Sequence, residues 1–321
     1  MKKITLILAV VFVLFSFSGC NNYQTAKSFQ EVQIENGYNN YLAGASLARI
    51  DSSIYYRTIT GGIKPFSAFK ISNHGKEAML NKKAEAFLEF STMFYQYNNS
   101  IYSFGDTSDE LYLYNQNKKE FSKCSNLIKK SSQYFMSKDL QVYFNDNEKL
   151  CINYKNNTTV PDIDVDLFYI SGSELYILSD NGYLYCLNLN ALNHSPKLID
   201  KIAEDAVVNK MIICGDYVYY DFKSYYSEKK DGLHRYSLID KKDRIIKKGN
   251  ISSINKNEDR LFFVANNEVY FDNINTDSTL LTSQKTDEIY IFDKKWIYLF
   301  ERTGVLSRVS QDGKIIERIT G

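Results

Sequence analysis

The chain has 321 residues, of which 24% are charged and 15% aromatic, and its formal net charge at pH 7 is +1. A charge balance this close to neutral argues against a nucleic-acid-binding protein and against a polybasic membrane patch. Only three histidines are present, and no His-Glu-x-x-His, Gly-x-Ser-x-Gly, Cys-x-x-Cys or Walker phosphate motif occurs. The enzyme classes that these motifs define are therefore excluded.

Residues 1–19 have the pattern of an export signal. Lys2 and Lys3 form a basic start, residues 4–17 are uncharged and apolar, and Ser18-Gly19 provide the small residues of a cleavage site. The apolar run is about 14 residues long, whereas a helix that spans a bilayer takes roughly 20. We therefore expect a signal peptide and not a transmembrane anchor.

The tetrapeptide Phe17-Ser18-Gly19-Cys20 resembles the lipobox of bacterial lipoproteins, with Phe17 at a position where that family usually carries Leu. In the family, the cysteine thiol receives a diacylglycerol and becomes the first residue of the mature protein. The resemblance implies that Cys20 anchors the chain to the bilayer on the outer side of the cell membrane, because two acyl chains give stable attachment. An ordinary secretory signal with a chance cysteine is the alternative.

Four more cysteines follow, namely Cys124, Cys151, Cys186 and Cys214. An even number in an exported chain permits two disulfides, with three possible pairings. However, none of them lies in a short cysteine framework, and a chain of this length can bury a core without cross-links. We expect buried free thiols, with disulfides as the alternative.

Residues 20–43 are expected to form the lipid anchor and a polar tether, and residues 44–321 one repeat domain. In that domain a short apolar run, a tight polar turn and an aromatic-rich run recur seven times, at a mean spacing of about 40 residues. The first three residues after each turn are Ile54-Tyr55-Tyr56, Ile101-Tyr102-Ser103, Val142-Tyr143-Phe144, Leu175-Tyr176-Ile177, Val218-Tyr219-Tyr220, Leu261-Phe262-Phe263 and Ile297-Tyr298-Leu299.

The fourth copy contains four strand-like segments, 167–171, 175–178, 183–187 and 196–199, separated by turn residues. Four strands in about 40 residues are typical of a β-propeller blade. The segments are apolar on both faces, as expected where neighbouring blades stack. We predict an all-β propeller of four-stranded antiparallel blades, with seven blades favoured over six or eight. A β-solenoid, whose coils are shorter and more uniform, is the alternative.

The repeat resembles that of bacterial propellers related to the low-density-lipoprotein-receptor-related type. The turns Gly215-Asp216 and Asp312-Gly313, with the adjoining Tyr-rich strand 217–220, carry this resemblance. The eukaryotic relatives have six blades and a Tyr-Trp-Thr-Asp signature that this chain lacks. The resemblance therefore implies an architecture and no receptor function, and Asp216 is expected only to form its turn.

Two segments are candidate ligand sites on the propeller face that carries the connectors between blades. In the connector 161–166, Asp162, Asp164 and Asp166 share one side if the backbone is extended. Three carboxylates could bind Ca²⁺, but the spacing does not match a calcium loop, and a solvated acidic connector is the competing interpretation. We expect no metal and no cofactor.

The second segment is the loop 223–232 of the fifth copy, which holds Tyr225 and Tyr226 beside mixed charges. Two exposed tyrosines suit sugar stacking or a protein partner. A mobile solvated loop is the alternative.

The sequence favours a membrane-anchored, non-enzymatic propeller that binds an envelope protein, a peptide or a glycan. A carboxylate-dependent, glycan-active enzyme on the same scaffold is the alternative, because paired carboxylates need no local motif. A structural hub in a larger envelope complex is a third possibility.

Overall fold

The computed structural model describes residues 38–59, 66–72, 74–81, 93–104, 111–124, 133–145, 147–154, 157–192, 194–272 and 278–320. The expected signal peptide, Cys20 and the expected tether as far as residue 37 lie outside these ranges. Within them, no helix is both long enough and apolar enough to cross a membrane.

The described chain forms a ring of seven antiparallel sheets, which confirms the seven-bladed propeller. Each blade consists of consecutive strands, and the first strand of blade 5 is split into β17 and β18. Blade 1 contains β1 (Leu47–Ile50), β2 (Ser53–Ile59), β3 (Phe66–Ser72) and β4 (Gly75–Ala78), and blade 2 contains β5 (Tyr95–Tyr97), β6 (Ser100–Phe104), β7 (Leu111–Asn115) and β8 (Glu120–Lys123). Blade 3 contains β9 (Tyr134–Met136), β10 (Leu140–Phe144), β11 (Leu150–Tyr154) and β12 (Asn157–Thr159), and blade 4 contains β13 (Val165–Ser171), β14 (Glu174–Ser179), β15 (Tyr183–Asn188) and β16 (Lys197–Lys201). Blade 5 contains β17 (Ala206–Val207), β18 (Met211–Cys214), β19 (Tyr217–Ser224), β20 (Gly232–Ser237) and β21 (Asp243–Lys248). Blade 6 contains β22 (Ile251–Asn257), β23 (Arg260–Ala265), β24 (Glu268–Phe271) and β25 (Thr279–Thr282), and blade 7 contains β26 (Glu288–Ile291), β27 (Trp296–Phe300), β28 (Leu306–Ser310) and β29 (Ile316–Arg318).

All seven aromatic-rich triplets lie in the second strand of a blade, where both faces are covered by neighbouring blades. In blade 5, Tyr219 and Tyr220 are 1% and 0% exposed. Side chains alternate along a strand, so the Tyr219 hydroxyl reaches Asp272 in blade 6, whereas the Tyr220 hydroxyl reaches the Ile202 carbonyl at the end of blade 4. The expectation that these tyrosines form the core is confirmed.

We call the face with the connectors between blades and the turns between second and third strands the upper face, and the opposite face the lower face. Gly215 and Asp216 form the lower-face turn between β18 and β19, and Gly215 adopts a φ of +56°. Asp216 is exposed there, as expected of a turn residue. In the upper-face turn before β15, a Cβ on Gly182 would lie 1.6 Å from the Ala203 carbonyl oxygen, so only glycine fits.

Residues 38–43 form a helix inside the ring, which we call the channel helix. Tyr38 is 1% exposed, and its ring centroid lies 5.1 Å from that of Phe135 in blade 3. Ser253 in blade 6 donates a hydrogen bond to the Ala43 carbonyl (2.8 Å). The sequence assigned residues 38–43 to the tether, whereas in the structure they form this helix and are largely buried.

The first strand of each blade has a sheet neighbour on one side only, so its inner edge faces the channel. Buried N–H and C=O groups on such an edge need partners. Three side chains each bond both groups of one edge residue: Gln133 those of Phe168, Tyr95 those of Met136, and Asn40 those of Ile291. The amides and the hydroxyl thus replace the missing strand.

The ring closes between blades 7 and 1 through side chains, because each described blade keeps its own strands. Arg49 and Asp293 form an ion pair (2.9 Å), and the Ser46 N–H donates to the Tyr290 hydroxyl (2.8 Å). The buried apolar cluster at this junction comprises Leu47, Ile54, Tyr56, Tyr290, Trp296, Tyr298, Phe300 and Leu306.

The four cysteines of the repeat domain are free, as expected, but only two of them are buried as expected. Cys151 and Cys214 are buried, whereas Cys124 and Cys186 are partly exposed.

Candidate binding site on the upper face of blade 5

The loop between β19 and β20, residues 225–231, presents two aromatic rings on the upper face; we call it the blade-5 loop. Tyr225 and Tyr226 are 65% and 82% exposed, and Tyr226 is the most exposed large hydrophobic side chain in the described part of the chain. Their ring centroids lie 6.5 Å apart at an interplanar angle of 72°. The pair therefore offers an aromatic surface that the fold leaves uncovered.

Hydrogen bonds define the backbone path of the blade-5 loop. The N–H groups of residues 226 and 227 both donate to Ser224 Oγ (3.2 Å), and the Ser224 N–H donates to Asp231 Oδ1 (2.9 Å). The Tyr225 N–H donates to the Asp205 carbonyl in the connector from blade 4 (3.0 Å). These bonds fix the backbone that carries the two exposed rings.

His234 contacts the C-terminal end of this loop at Lys230. It is 5% exposed and lies against the Phe222 ring, with 4.7 Å between centroids. Its Nδ1 lies 2.7 Å from Asp243 Oδ2 and its Nε2 lies 2.9 Å from the Lys230 carbonyl oxygen. The buried histidine therefore links the loop to the outer strand β21, which is a structural role.

A recess of about 280 Å³ opens beside the blade-5 loop, between blades 5 and 6. Its blade-6 side is the connector 249–250 and Ile251 at the start of β22, and its blade-5 side includes Asp221, Phe222 and Asp231. Lys223, Glu228 and Lys248 also line it. The recess thus combines apolar surface, three carboxylates and two lysines.

Asp221 was not predicted from the sequence as a residue of this site, because it follows an aromatic run that is typical of a buried core strand. It is 2% exposed, and its Oδ1 accepts hydrogen bonds from the N–H groups of Asn209 (2.8 Å) and Lys210 (2.6 Å). Burial raises the pKa of this carboxyl, and the charge of Lys210 opposes that rise. The available signal was a carboxylate in a strand whose neighbours are all apolar or aromatic.

A second, smaller cavity of about 180 Å³ lies at the upper mouth of the channel. Tyr41 and Leu42 of the channel helix line one side, and Asn209, Lys210 and Met211 line another. The segment 209–210, whose N–H groups bond Asp221, therefore borders this cavity.

The three predicted aspartates lie on the upper face but away from the tyrosine pair. Asp162, Asp164 and Asp166 are exposed while the residues between them are partly covered, as expected for one shared side. Asp164 pairs with Lys149, and partial burial, together with the charge of Asp180, raises the pKa of Asp166. In the described ranges, no three histidine, cysteine or acidic side chains are grouped as a metal ion requires.

Solved structures share this fold at low sequence identity. The extracellular domain of the putative hybrid two-component system BT4673 from B. thetaiotaomicron is similar, with a TM-score of 0.57 and 13% identity over 82% of this chain. This chain spans 37% of the length of that domain. Hsv2 from Kluyveromyces lactis has a TM-score of 0.52 and 11% identity, covering 84% of this chain and 94% of Hsv2. The computationally designed Ika8 protein has a TM-score of 0.51 and 9% identity, covering 86% and 83%.

No family model matches the chain, and no curated protein matches it in sequence. The class that these findings define is a seven-bladed β-propeller.

Proposed function

We propose that this chain is a non-enzymatic binding propeller held by a lipid on Cys20 at the outer side of the cell membrane. In this proposal it binds a peptide or protein of the envelope through the blade-5 loop. The observation that carries the proposal is the exposed pair Tyr225 and Tyr226 on a loop whose backbone is fixed by hydrogen bonds. Rigid exposed tyrosines are frequent binding hot spots, because they bury a large area at little conformational cost.

The direction of the channel helix supports an arrangement with the upper face outward. Asn40 lies level with Ile291 at the lower end of β26, whereas Gly44 lies beside Glu288 at its upper end. The described chain thus starts deep in the channel and rises to the upper face. An anchor attached before Tyr38 is therefore expected to hold the lower face toward the membrane. BT4673, which shares the fold, is extracellular over the matched domain by its name.

The anchor is tested by metabolic labelling with [³H]palmitate. We expect label on the wild-type protein and none on Cys20→Ala. Equal labelling of both would contradict the lipid anchor and leave the binding proposal to be tested separately.

The binding face is tested by photocrosslinking in the producing cell. The crosslinker p-benzoylphenylalanine replaces Tyr226 or, as a control, Ile239, which is 69% exposed in the lower-face turn of the same blade. We expect one stoichiometric protein adduct from position 226 and none from position 239. The purified partner should bind Tyr225→Ser/Tyr226→Ser at least about tenfold more weakly than wild type.

Adducts of equal yield from both positions would contradict this binding face. Turnover of a cell-wall glycan that is abolished by Asn at one upper-face carboxylate would contradict the non-enzymatic proposal and favour the enzyme.

A further inference from the structure

The recess between blades 5 and 6 has a carboxylate at its base that faces the gap between the blades. Asp221 lies two residues after Tyr219 in β19, so both side chains point to the same side of the sheet. This side faces blade 6, because the Tyr219 hydroxyl donates a hydrogen bond to Asp272 of that blade (2.6 Å). Asp221 occupies the same interface nearer the upper face, where the recess opens.

Asp221 forms no ion pair among the described residues, although the charge of Lys210 acts on its carboxyl. Its Oδ1 is occupied by two backbone N–H groups, whereas its Oδ2 has one contact, 3.4 Å from Asn209 Nδ2. A carboxylate that is 98% buried loses most of its hydration, and two amide bonds to one oxygen replace only part of it. The second oxygen therefore retains the capacity to accept a charge-assisted hydrogen bond.

The remaining lining is consistent with a cation on an aliphatic stem. Asp221, Glu228 and Asp231 give three negative charges against the two positive charges of Lys223 and Lys248. Ile251, which is 3% exposed, supplies apolar contact at the same site. A volume of about 280 Å³ is at or below the lower end of the range for sites of drug-sized ligands, so it suits a side chain or a short amine.

We infer that this recess binds a protonated amine or a guanidinium group on an aliphatic stem, with Asp221 as its counter-ion. The inference rests on the proposed binding function and names the chemistry of the group that the upper face recognises. Asp231 connects the two parts of the surface, since it lines the recess and accepts a hydrogen bond from Ser224 at the base of the blade-5 loop (2.9 Å). A partner that packs on Tyr225 and Tyr226 can insert a lysine or arginine side chain beside them.

The experiment measures binding of three small probes to the protein by isothermal titration at low salt. Nα-acetyl-lysine methylamide represents a peptide side chain, cadaverine represents a free amine, and Nα-acetyl-norleucine methylamide is the neutral control. We expect the lysine probe to bind at least about tenfold more tightly than the norleucine probe. Tighter binding of cadaverine than of the lysine probe would assign the site to free amines, and the reverse order would assign it to peptides.

Two variants test the role of the carboxylates. Asp221→Asn keeps an acceptor for the N–H groups of Asn209 and Lys210 but removes the charge, so we expect an unchanged fold and at least about tenfold weaker binding of the cationic probes. Glu228→Gln changes an exposed side chain and cannot disturb the core; we expect about twofold to fivefold weaker binding. Equal affinities for the lysine and norleucine probes, or cationic binding unchanged in Asp221→Asn, would overturn the inference.

The outcome is separable from that of the proposed function. A partner that crosslinks at position 226 while no cationic probe binds would show that the cation site is wrong and the binding face correct. Binding of cationic probes that depends on Asp221, without any partner at position 226, would show the reverse.

Discussion

Two buried carboxylates in the interface between blades 5 and 6 have different partners. Asp272 is 4% exposed and forms an ion pair with the buried Arg235 (2.7 Å), while the Tyr219 hydroxyl donates to the same oxygen. Asp221, nearer the upper face, has backbone N–H partners and forms no ion pair among the described residues. Asp272 therefore holds two blades together, and Asp221 is the carboxylate whose charge is still available to a ligand.

The surroundings of Cys186 raise the pKa of its thiol and therefore change the pH at which it becomes reactive. Burial, followed by the negative charge of Glu174, raises its pKa to about 11. An unperturbed thiol has a pKa near 8.5, so at pH 8 the folded protein holds on the order of 100-fold less thiolate at this position. We expect alkylation of Cys186 by iodoacetamide to be slower than in urea by at least that factor.

The rate in the folded protein should keep rising between pH 9 and about pH 11, because the thiolate population is still increasing there. In urea, the same residue should reach its plateau by about pH 9.5. Peptide mass spectrometry after timed quenching gives both profiles. A plateau near pH 9 in the folded protein would show that the thiol is not desolvated.

At the scale of the elements, the inner strands depend on side chains that act as substitutes for a neighbouring strand. Gln133 illustrates this, because its amide accepts from the Phe168 N–H (2.9 Å) and donates to the Phe168 carbonyl. The Tyr38 hydroxyl also donates to that carbonyl (3.2 Å). Loss of the glutamine amide would therefore leave mainly the Phe168 N–H without a partner.

We expect Gln133→Leu to lower the free energy of unfolding by about 1–3 kcal/mol, the cost of a buried donor without an acceptor. Gln141 in β10 is the matched control, since its partly buried amide has no hydrogen bond to another described residue. Gln141→Leu should change stability by less than about 0.5 kcal/mol. Urea denaturation followed by circular dichroism measures both, and equal effects of the two substitutions would refute this role of Gln133.

The sequence predicted the elements that depend on local patterns and not those that depend on distant partners. The triplet Val218-Tyr219-Tyr220 reads as a buried strand because turn chemistry precedes it and large apolar side chains fill it. The channel helix cannot be predicted as a buried element in this way, because its residues Tyr38, Asn39, Asn40 and Tyr41 all carry polar groups. Their partners are remote in sequence, and Ile291, the partner of Asn40, lies 251 positions away; no local period indicates such a contact.

The same distinction between local patterns and distant partners applies to the candidate site. The exposure of Tyr225 and Tyr226 followed from a polar loop after an aromatic strand. The sequence shows Asp221 only as a carboxylate in an aromatic run, because its burial and its hydrogen bonds are set by the segment 209–210 and by blade 6.

At the scale of the whole molecule, the channel helix connects blades that are remote in sequence. Tyr38 contacts blades 3 and 4, Tyr41 contacts Tyr95 in blade 2, and Asn40 contacts blades 6 and 7. Blade 1 follows directly from the helix through residues 44–46. Because the ring closes through side chains alone, this central element contributes to holding the two ends of the propeller together.

Removal of the channel helix should therefore destabilise the entire ring. A variant that begins at Tyr38 keeps every described residue, whereas a variant that begins at Gly44 starts at the boundary expected from sequence. The second variant loses the burial of two tyrosine rings, about 1.5–3 kcal/mol each. Water entering the vacated channel can bond the groups of Ile291, so the apolar term dominates, and we expect a loss of about 3–6 kcal/mol.

Trp296 reports this change, because it is the single tryptophan of the chain and is 6% exposed at the junction of blades 7 and 1. We expect both variants to show the emission of a buried indole in buffer, and the shorter one to have the lower urea midpoint. Stability is 5–15 kcal/mol for a typical domain, so a loss of this size is a large fraction of the total. Equal midpoints would mean that the channel helix merely occupies space, and that blades 7 and 1 hold the ring closed without it.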